Sequence, residues 1–240
     1  MKAKETAILI LILAQFGSTG LHAQGAFQNL DFESASVVNA PPYQPTMLPI
    51  GQVFPNWTAN YGTNPVTQVY FNGFSLGSAL VTLISSNTMY VGGNVIQGNY
   101  TATLSAGNEV NDQGPTGAFV SAAIAQTSLI PVTARSLRFG ASPLWPGSVA
   151  DLSVTFNGQD IPFFPLANYS NYVEYGADIS AFAGLTGELR FTEQPITRND
   201  ATVTLDQITF SNLPVPEPSV FGLSALGALL LNWRVLRRQR

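Results

Sequence analysis

The chain has 240 residues with 14 acidic and 10 basic side chains, a formal net charge of −4, one histidine and no cysteine. The lack of cysteine excludes disulfides, thiolate metal sites and cysteine nucleophiles. The acidic balance argues against a nucleic-acid partner, because binding to phosphates requires a basic surface.

The N-terminal 23 residues have the layout of a secretory signal peptide. Lys2 and Lys4 precede an apolar run over residues 7–14, and small or polar residues follow it. We predict a signal helix that is removed after Ala23. Its removal also takes away His22, the single histidine, and leaves a domain without lysine. Serine–histidine catalysis, histidine metal ligation and lysine Schiff bases are therefore excluded for the remaining domain.

Residues 25–33 open the domain with an alternating pattern that predicts a β-strand. Leu30 and Phe32 share one face of this strand, whereas Asp31 and Glu33 share the other. A polar strand face is usually a solvated surface. Two carboxylates on one face are also oxygen donors of the kind that calcium prefers.

Further strands are predicted along the body of the chain. The clearest is residues 151–156, where Leu152, Val154 and Phe156 alternate with polar residues. Asn-Gly pairs, which are typical of tight turns, separate several of these segments. The other predicted strands are residues 79–85, 100–106, 118–131, 136–139, 187–192 and 202–211. Many short strands, with no helix predicted between residues 24 and 213, indicate one all-β domain built as an antiparallel sandwich.

Residues 167–176 place Tyr169, Tyr172 and Tyr175 in a predicted loop. Flat aromatic rings stack on the apolar faces of sugars. The three tyrosines, with Trp145 as a further platform, are therefore candidate glycan-binding residues. The alternative is that these tyrosines cover the edge of the core with hydrogen-bonded hydroxyl groups.

An enzyme acting on carbohydrates is a second possibility. Glycoside hydrolysis requires two carboxyl groups about 5–9.5 Å apart. The candidate pairs are Glu174 with Asp178 and Glu188 with Glu193. Neither pair lies in a recognisable catalytic motif, so we expect a protein without catalytic residues.

The predicted strand at residues 202–211 changes face part-way along its length. Val203 and Leu205 occupy odd positions, whereas Ile208, the next large apolar residue, occupies an even one. A change of parity within one strand predicts a β-bulge or a strand end, here at Asp206.

The C-terminal residues 214–240 form a separate unit. Residues 220–233 carry no charge, and as a helix they would span about 21 Å, at about 1.5 Å per residue, against a hydrocarbon core of about 30 Å. Extended to residues 220–236, the predicted hydrophobic helix is a marginal membrane span. The arginines within residues 234–240 then form a cationic stop on the cytoplasmic side.

Pro216, Glu217 and Pro218 stand immediately before this helix, within residues 215–219. The motif, the short apolar helix and the arginine-rich end together resemble the PEP-CTERM sorting signal of exported bacterial proteins. The resemblance implies processing by a membrane-embedded exosortase. It also implies transient anchoring in the inner membrane and delivery to the cell surface or the extracellular matrix.

The body of the chain carries a second resemblance. The opening motif N-x-x-F-E ends at Glu33, Trp57 follows downstream, and a closing motif D-x-I-x-F begins at Asp206. This combination resembles the galactose-binding-like jelly rolls that are common among carbohydrate-binding modules, and residues 157–192 resemble sandwich domains of other PEP-CTERM proteins. The jelly-roll resemblance implies that the first and last strands lie together and hold a structural calcium ion through Asp31, Glu33 and Asp206. We expect Trp57 to fill the core.

These predictions give a domain of residues 24–213 between a signal peptide, residues 1–23, and a sorting signal. Six basic and two acidic residues lie in the two ends, so the domain keeps 4 basic and 12 acidic residues and a net charge of −8. We expect an exported, non-catalytic protein with a structural or glycan-binding role in extracellular polysaccharide. The alternative is a carboxylate-dependent glycoside hydrolase or lyase. Calcium is the one cofactor considered, and exosortase and polysaccharide are the expected partners.

Overall fold

The computed structural model describes residues 26–37, 44–87, 95–111, 114–144, 149–196 and 201–215. The signal peptide, Trp145, the motif Pro216-Glu217-Pro218 and the C-terminal helix lie outside these ranges, so the predictions about them remain predictions. Within the described ranges, no helix is both long and apolar enough to cross a membrane.

The described residues contain fifteen strands, one short α-helix, α1 (Ile50–Val53), and two 3₁₀ turns at Val149–Asp151 and Ser180–Phe182. The strands are β1 Thr46–Pro49, β2 Thr58–Tyr61, β3 Asn64–Val66, β4 Gln68–Phe71, β5 Leu80–Ser85, β6 Tyr100–Asn111, β7 Gly114–Val120, β8 Ala122–Leu129, β9 Ser136–Leu144, β10 Leu152–Phe156, β11 Gln159–Asp160, β12 Phe163–Asn168, β13 Val173–Asp178, β14 Thr186–Glu193 and β15 Ala201–Ser211.

The strands form two sheets. The larger sheet has the order β1-β4-β5-β6-β15-β9-β13-β12, with β7 paired to β6, and the smaller has the order β11-β10-β14-β8-β2-β3. Neighbouring strands are antiparallel except for β4 and β5, which are parallel. The chain passes repeatedly from one sheet to the other, as in a jelly roll. The predicted all-β class and jelly-roll sandwich are therefore confirmed, with this one parallel pair as an exception.

The core lies between the inner faces of the two sheets. In β10 the predicted alternation is confirmed, because Leu152, Val154 and Phe156 are buried and the polar residues between them are partly exposed. Trp57 is also in the core, as predicted, with 3% of its surface exposed. Its indole nitrogen donates a hydrogen bond to the carbonyl oxygen of Asn29 at 3.0 Å, which satisfies the one polar atom of the buried ring.

The prediction of a strand at residues 25–33 is wrong. Within the described part of this segment, Ala26 alone makes a β-bridge, to Leu129, and the rest consists of irregular backbone followed by turns. Phe32 adopts a left-handed backbone conformation with φ of 58°. Its ring is completely buried and packs against Phe54 and Trp57, each with ring centroids 5.7 Å away. Packing of the Phe32 ring in the core therefore outweighs the alternating sequence pattern, because an extended strand would not direct this ring towards Phe54 and Trp57.

Two other segment boundaries differ from the predictions. Residues 118–131 are not one strand but parts of β7 and β8, which pair with β6 of the larger sheet and with strands of the smaller sheet respectively. Residues 167–176 are not a single loop, because they contain the end of β12 and the start of β13. A continuous apolar pattern cannot show where a chain leaves one sheet for the other.

The predicted change of face in β15 is confirmed. The register against β9 shifts between Asp206 and Thr209, and Gln207 has a left-handed φ of 53°. Ile208 is buried after this shift, and its backbone nitrogen donates a hydrogen bond to the carbonyl oxygen of Leu30 at 3.0 Å. The bulge therefore joins the last strand to the N-terminal segment.

Candidate functional site

Asp206 lies at the bulge, on the outer face of the larger sheet, with 1% of its surface exposed. Its Oδ2 accepts hydrogen bonds from the Thr101 hydroxyl at 2.8 Å and from the backbone nitrogen of Gln97 at 3.1 Å. Its Oδ1 accepts one from the backbone nitrogen of Gln207 at 2.7 Å. Burial raises the pKa of Asp206 to about 6, these hydrogen bonds oppose the shift, and the nearby charge of Glu33 adds to it.

Glu33 follows the turn at Phe32 and points at the segment that precedes β6. Its Oε1 accepts hydrogen bonds from the backbone nitrogens of Asn99 at 2.7 Å and Tyr100 at 3.0 Å, and its Oε2 accepts one from the Asn99 side chain at 3.0 Å. The carboxylate also lies directly against Gly98, where an added Cβ would stand 2.8 Å from Glu33 Cδ. Gly98 is therefore required for this close approach.

The predicted calcium ligands Asp31, Glu33 and Asp206 line one small cavity of about 180 Å³, together with Gln97 and Gly98. The structure thus brings together residues that are widely separated in the sequence. The two salt bridges in the described part of the chain, Arg138–Glu174 and Arg190–Glu188, do not involve any of the three.

The donor atoms in this cavity match a calcium ion only in part. Within the described ranges, no group of three or more acidic, histidine or cysteine side chains is arranged to hold a metal. From the described residues, Glu33 Oε2 and Asp206 Oδ1 each accept a single hydrogen bond, so each keeps a lone pair. The arrangement can offer two hard oxygen ligands to a cation from partly or fully buried side chains, whereas Asp31 is exposed.

A larger groove adjoins this cavity and shares Asp31 and Gln97 with it. The groove has a volume of about 480 Å³, and we call it the outer groove. Its polar lining consists of Asn29, Asp31, Gln97, Glu174, Gln207 and Thr209. The Gln207 side-chain nitrogen donates a hydrogen bond to the Gln97 side-chain oxygen, which links the bulge to the segment before β6.

Two of the three predicted sugar-binding tyrosines lie beside the outer groove, at its rim, because Tyr172 contacts the lining residues Gly140 and Gln207 and Tyr169 stacks on Tyr172. The rings of Tyr169 and Tyr172 are stacked, with centroids 4.5 Å apart and an interplanar angle of 11°. The Tyr172 hydroxyl donates to Gln207 Oε1 at 3.4 Å. Its ring lies over Gly140, where an added Cβ would meet the ring at 3.1 Å. Tyr169 is 52% exposed, so the stacked pair presents an aromatic surface to solvent.

Tyr175 is not part of this pair. It lies in β13, where its ring packs on the core residues Phe139, at 5.7 Å between centroids, and Phe163, at 5.5 Å. The alternative interpretation of the tyrosines, as cover for the edge of the core, therefore describes Tyr175. This ring also lines a separate, mostly apolar cleft of about 820 Å³ between the two sheets.

The two carboxylate pairs suggested for catalysis are far apart. Glu174 and Asp178 are four residues apart in β13, which corresponds to about 13 Å along a strand. Glu188 and Glu193 have opposite parity in β14, and Glu188 is partly exposed whereas Glu193 is buried. Neither arrangement matches that of a glycosidase, in which the two carboxyl groups lie about 5–9.5 Å apart.

Sequence reasoning did not identify Gln97, Gly98 or Gln207 as site residues. Gly98 is the first residue of a Gly-Asn pair. Such a pair predicts a turn, but it does not predict which residues lie next to that turn in the folded protein. No pattern along the chain connects residues 95–99 with residues 31–33, because this contact depends on how the sandwich folds.

No protein-family model matches the chain, and no curated protein matches it. Among solved structures it is similar to the Stig cyclase Fisc from Fischerella sp. TAU in complex with (3Z)-3-(1-methyl-2-pyrrolidinylidene)-3H-indole, at 14% identity, over 77% of this chain and 94% of that one, with a TM-score of 0.44.

The chain is also similar to the family 11 carbohydrate-binding module of the cellulosomal cellulase Lic26A-Cel5E of Clostridium thermocellum. The identity is 10%, over 73% of this chain and 98% of that one, with a TM-score of 0.35. A third similar structure is the secreted serine protease VesC from Vibrio cholerae. The identity is 12%, over 72% of this chain and 44% of that one, with a TM-score of 0.29. These similarities concern the general arrangement of strands and do not bear on ligand or activity.

Proposed function

We propose that this protein is a non-catalytic, glycan-binding β-sandwich and that the outer groove is its sugar-binding surface. The observation that carries the proposal is the exposed Tyr169–Tyr172 stack at the rim of a groove lined by amide and carboxylate groups. Aromatic rings at such a rim offer a flat apolar surface, and Asn29, Gln97 and Gln207 offer donors and acceptors for hydroxyl groups. The volume of the groove falls within the usual range of ligand sites, about 300–1,000 Å³.

Replacement of Tyr172 by alanine is expected to weaken glycan binding about tenfold or more, because it removes the stacking surface and the contact with Gln207. Tyr169→Ala should weaken binding by a smaller factor, since Tyr172 remains. Binding is measured by affinity electrophoresis in gels that contain a panel of polysaccharides. Leu76→Ala, at a side chain that is 86% exposed, is the surface control. Retention that is equal in all three variants would contradict the proposal.

We also propose a structural calcium ion in the small cavity, held by Glu33 and Asp206. The support is two nearby carboxylates, each with a free lone pair and without a basic partner in the described salt bridges. An ion there would join the N-terminal segment to β15. Asp31 is not required as a ligand.

Calcium is expected to raise the melting temperature of the protein by several degrees, because an ion that binds the folded state stabilises it. Asp206→Asn should remove this gain, and Asp160→Asn, which removes an exposed carboxylate from β11, should retain it. The measurement is thermal unfolding with added calcium and with chelator. An identical melting temperature under both conditions would refute the calcium site.

Finally, we propose that the protein is exported and sorted to the cell surface or extracellular matrix through residues 214–240, with exosortase as the processing partner. The support is the order of motif, apolar segment and arginines. Deletion of residues 215–240 should release the protein into the medium, because the marginal membrane span and its arginine stop are lost. Cell fractionation checks this, and an unchanged distribution would contradict the sorting proposal.

A further inference from the structure

We propose that the outer groove selects polymers of amino sugars, whose free amines carry positive charge, over neutral and uronic-acid polysaccharides. The inference rests on the proposed glycan-binding function and adds the chemical class of the sugar. It follows from the charge of the groove, the accessibility of its carboxylates and the position of the tyrosine stack.

The outer groove and the cavity beside it contain more negative than positive charge. Asp31 and Glu174 line the groove, and Glu33 and Asp206 line the adjoining cavity. In the described part of the chain, Arg138 is the one basic side chain in a salt bridge with any of these four, through Glu174 at 3.4 Å. A cationic ligand would therefore enter a surface with a surplus of carboxylates.

The carboxylate of Asp31 is open to a ligand. It is exposed, and Oδ1 accepts one long hydrogen bond of 3.3 Å from the backbone nitrogen of Glu33. Among the described residues, none donates a hydrogen bond to Oδ2. An ammonium group carries three donors and no acceptor, and its hydrogen bonds to a carboxylate are about twice as strong as neutral ones.

Glu174 is the second accessible carboxylate, with about a quarter of its side chain exposed. Its Oε1 accepts from Arg138 in the salt bridge, and a second ammonium of the same polymer can share it. Tyr172, on which Tyr169 stacks, contacts Gly140 and Gln207 of the same groove. An aromatic face attracts a cation as well as the apolar face of a sugar.

The same charges disfavour uronic acids. Each carboxylate of such a polymer would approach Asp31 and Glu174 with like charge, and the one nearby guanidinium is already paired. Like charges brought together in a binding site oppose association. N-acetylated sugars lack the ionic contribution, so they should bind with intermediate affinity.

The test measures binding of the purified protein to glucosamine, N-acetylglucosamine and glucuronic-acid oligosaccharides of matched length and linkage. The buffer is acidic enough to keep the amines protonated, and it contains chelator. We expect glucosamine oligosaccharides to bind about tenfold more tightly than the N-acetylated ones, as one or two charge-assisted hydrogen bonds would give. Glucuronic-acid oligosaccharides should bind most weakly.

Three variants that each remove one negative charge distinguish contacts made in the outer groove from general attraction of a cationic ligand to the acidic protein. Asp31→Asn should weaken glucosamine binding about fivefold, and Glu174→Gln should weaken it further because it also frees the Arg138 cation. Asp160→Asn reduces the net negative charge by the same amount at an exposed position in β11 of the smaller sheet and should leave binding unchanged.

Equal weakening by all three variants would overturn the inference, because it would show attraction to the whole acidic protein. Tighter binding of N-acetylated or uronic-acid oligosaccharides that Tyr172→Ala abolishes would overturn the amino-sugar class and retain the sugar-binding groove. Binding that is unaffected by Tyr172→Ala for every oligosaccharide would overturn the proposed function itself.

Discussion

Replacement of Glu193 by glutamine is expected to stabilise the protein by about 3 kcal/mol near pH 7, and by more as the pH rises towards 9. Glu193 is fully buried at the end of β14, between Leu152 of β10 and Ala122 of β8. Both of its carboxyl oxygens are buried without a hydrogen-bond partner among the residues that the structure describes. Burial raises the pKa of Glu193 to about 9, and the charge of Asp151 adds to the shift.

The direction of the pH dependence follows from the two states of this group. Its pKa is raised from 4.5 to about 9 in the folded protein, so the unfolded chain loses the proton first as the pH rises. Stability is therefore highest below about pH 4.5 with respect to this group, falls as the pH rises and levels off above about pH 9. Glutamine carries no proton to lose, so this contribution to the slope disappears.

The measurement is urea unfolding of the wild type and the variant across this pH window. Glu188→Gln is the matched control, because Glu188 lies on the same strand but is partly exposed and paired with Arg190 at 2.8 Å. Its replacement should change stability by about 0.5 kcal/mol or less. Asp206, whose pKa is also raised, to about 6, makes stability fall with rising pH below about pH 6. This contribution is the same in the wild type and in both variants. Parallel curves for wild type and Glu193→Gln would contradict the prediction.

Replacement of Gly98 by alanine is expected to destabilise the protein by about 3 kcal/mol. Gly98 has φ of 68°, and an added Cβ would overlap the Glu33 carboxylate. The left-handed backbone costs about 1 kcal/mol for alanine. Displacement of Glu33 also breaks its hydrogen bonds with the backbone of Asn99 and Tyr100. The proposed calcium site should be lost together with them.

Gly117→Ala is the control for the cost of placing alanine in a left-handed backbone conformation. Gly117 has a similar φ of 79°, but no atom lies within 4 Å of an added Cβ, so its replacement should cost only about 1 kcal/mol. A double-mutant cycle tests the contact itself. In a Glu33→Ala background, Gly98→Ala should also cost only about 1 kcal/mol, because the overlap is gone. A cost that is unchanged by the absence of Glu33 would contradict this explanation.

Local patterns were sufficient for much of the fold. Alternation predicted β10 and β14, and the parity change predicted the bulge at Asp206 with its buried successor Ile208. These predictions succeed because strand periodicity depends on the side of the sheet that each residue faces. The same reasoning fails for Phe32, whose direction depends on the rings of Phe54 and Trp57 from another part of the chain.

The candidate site was predictable in its residue types, and in its grouping only for the three carboxylates that the family resemblance places together. Asp31, Glu33 and Asp206 were identified from their chemistry and from a family resemblance, and they do line one cavity. Tyr172 contacts the adjoining outer groove through Gln207, and Tyr169 stacks on Tyr172, a relation that no spacing indicated. Tyr175, only three residues further, faces the core instead, because strand β13 begins between them.

The amino-acid sequence by itself determined the all-β class, the acidic charge, the absence of cysteine, histidine and lysine chemistry from the body, and the strand that breaks at Asp206. Only the tertiary structure decided which polar groups share a surface and which carboxyl group, Glu193, is buried without a hydrogen-bond partner in the described part of the chain. The physical reason is that periodicity and composition are local properties. Contacts between the N-terminal turn, the segment at Gly98 and the last strand depend on the packing of two sheets.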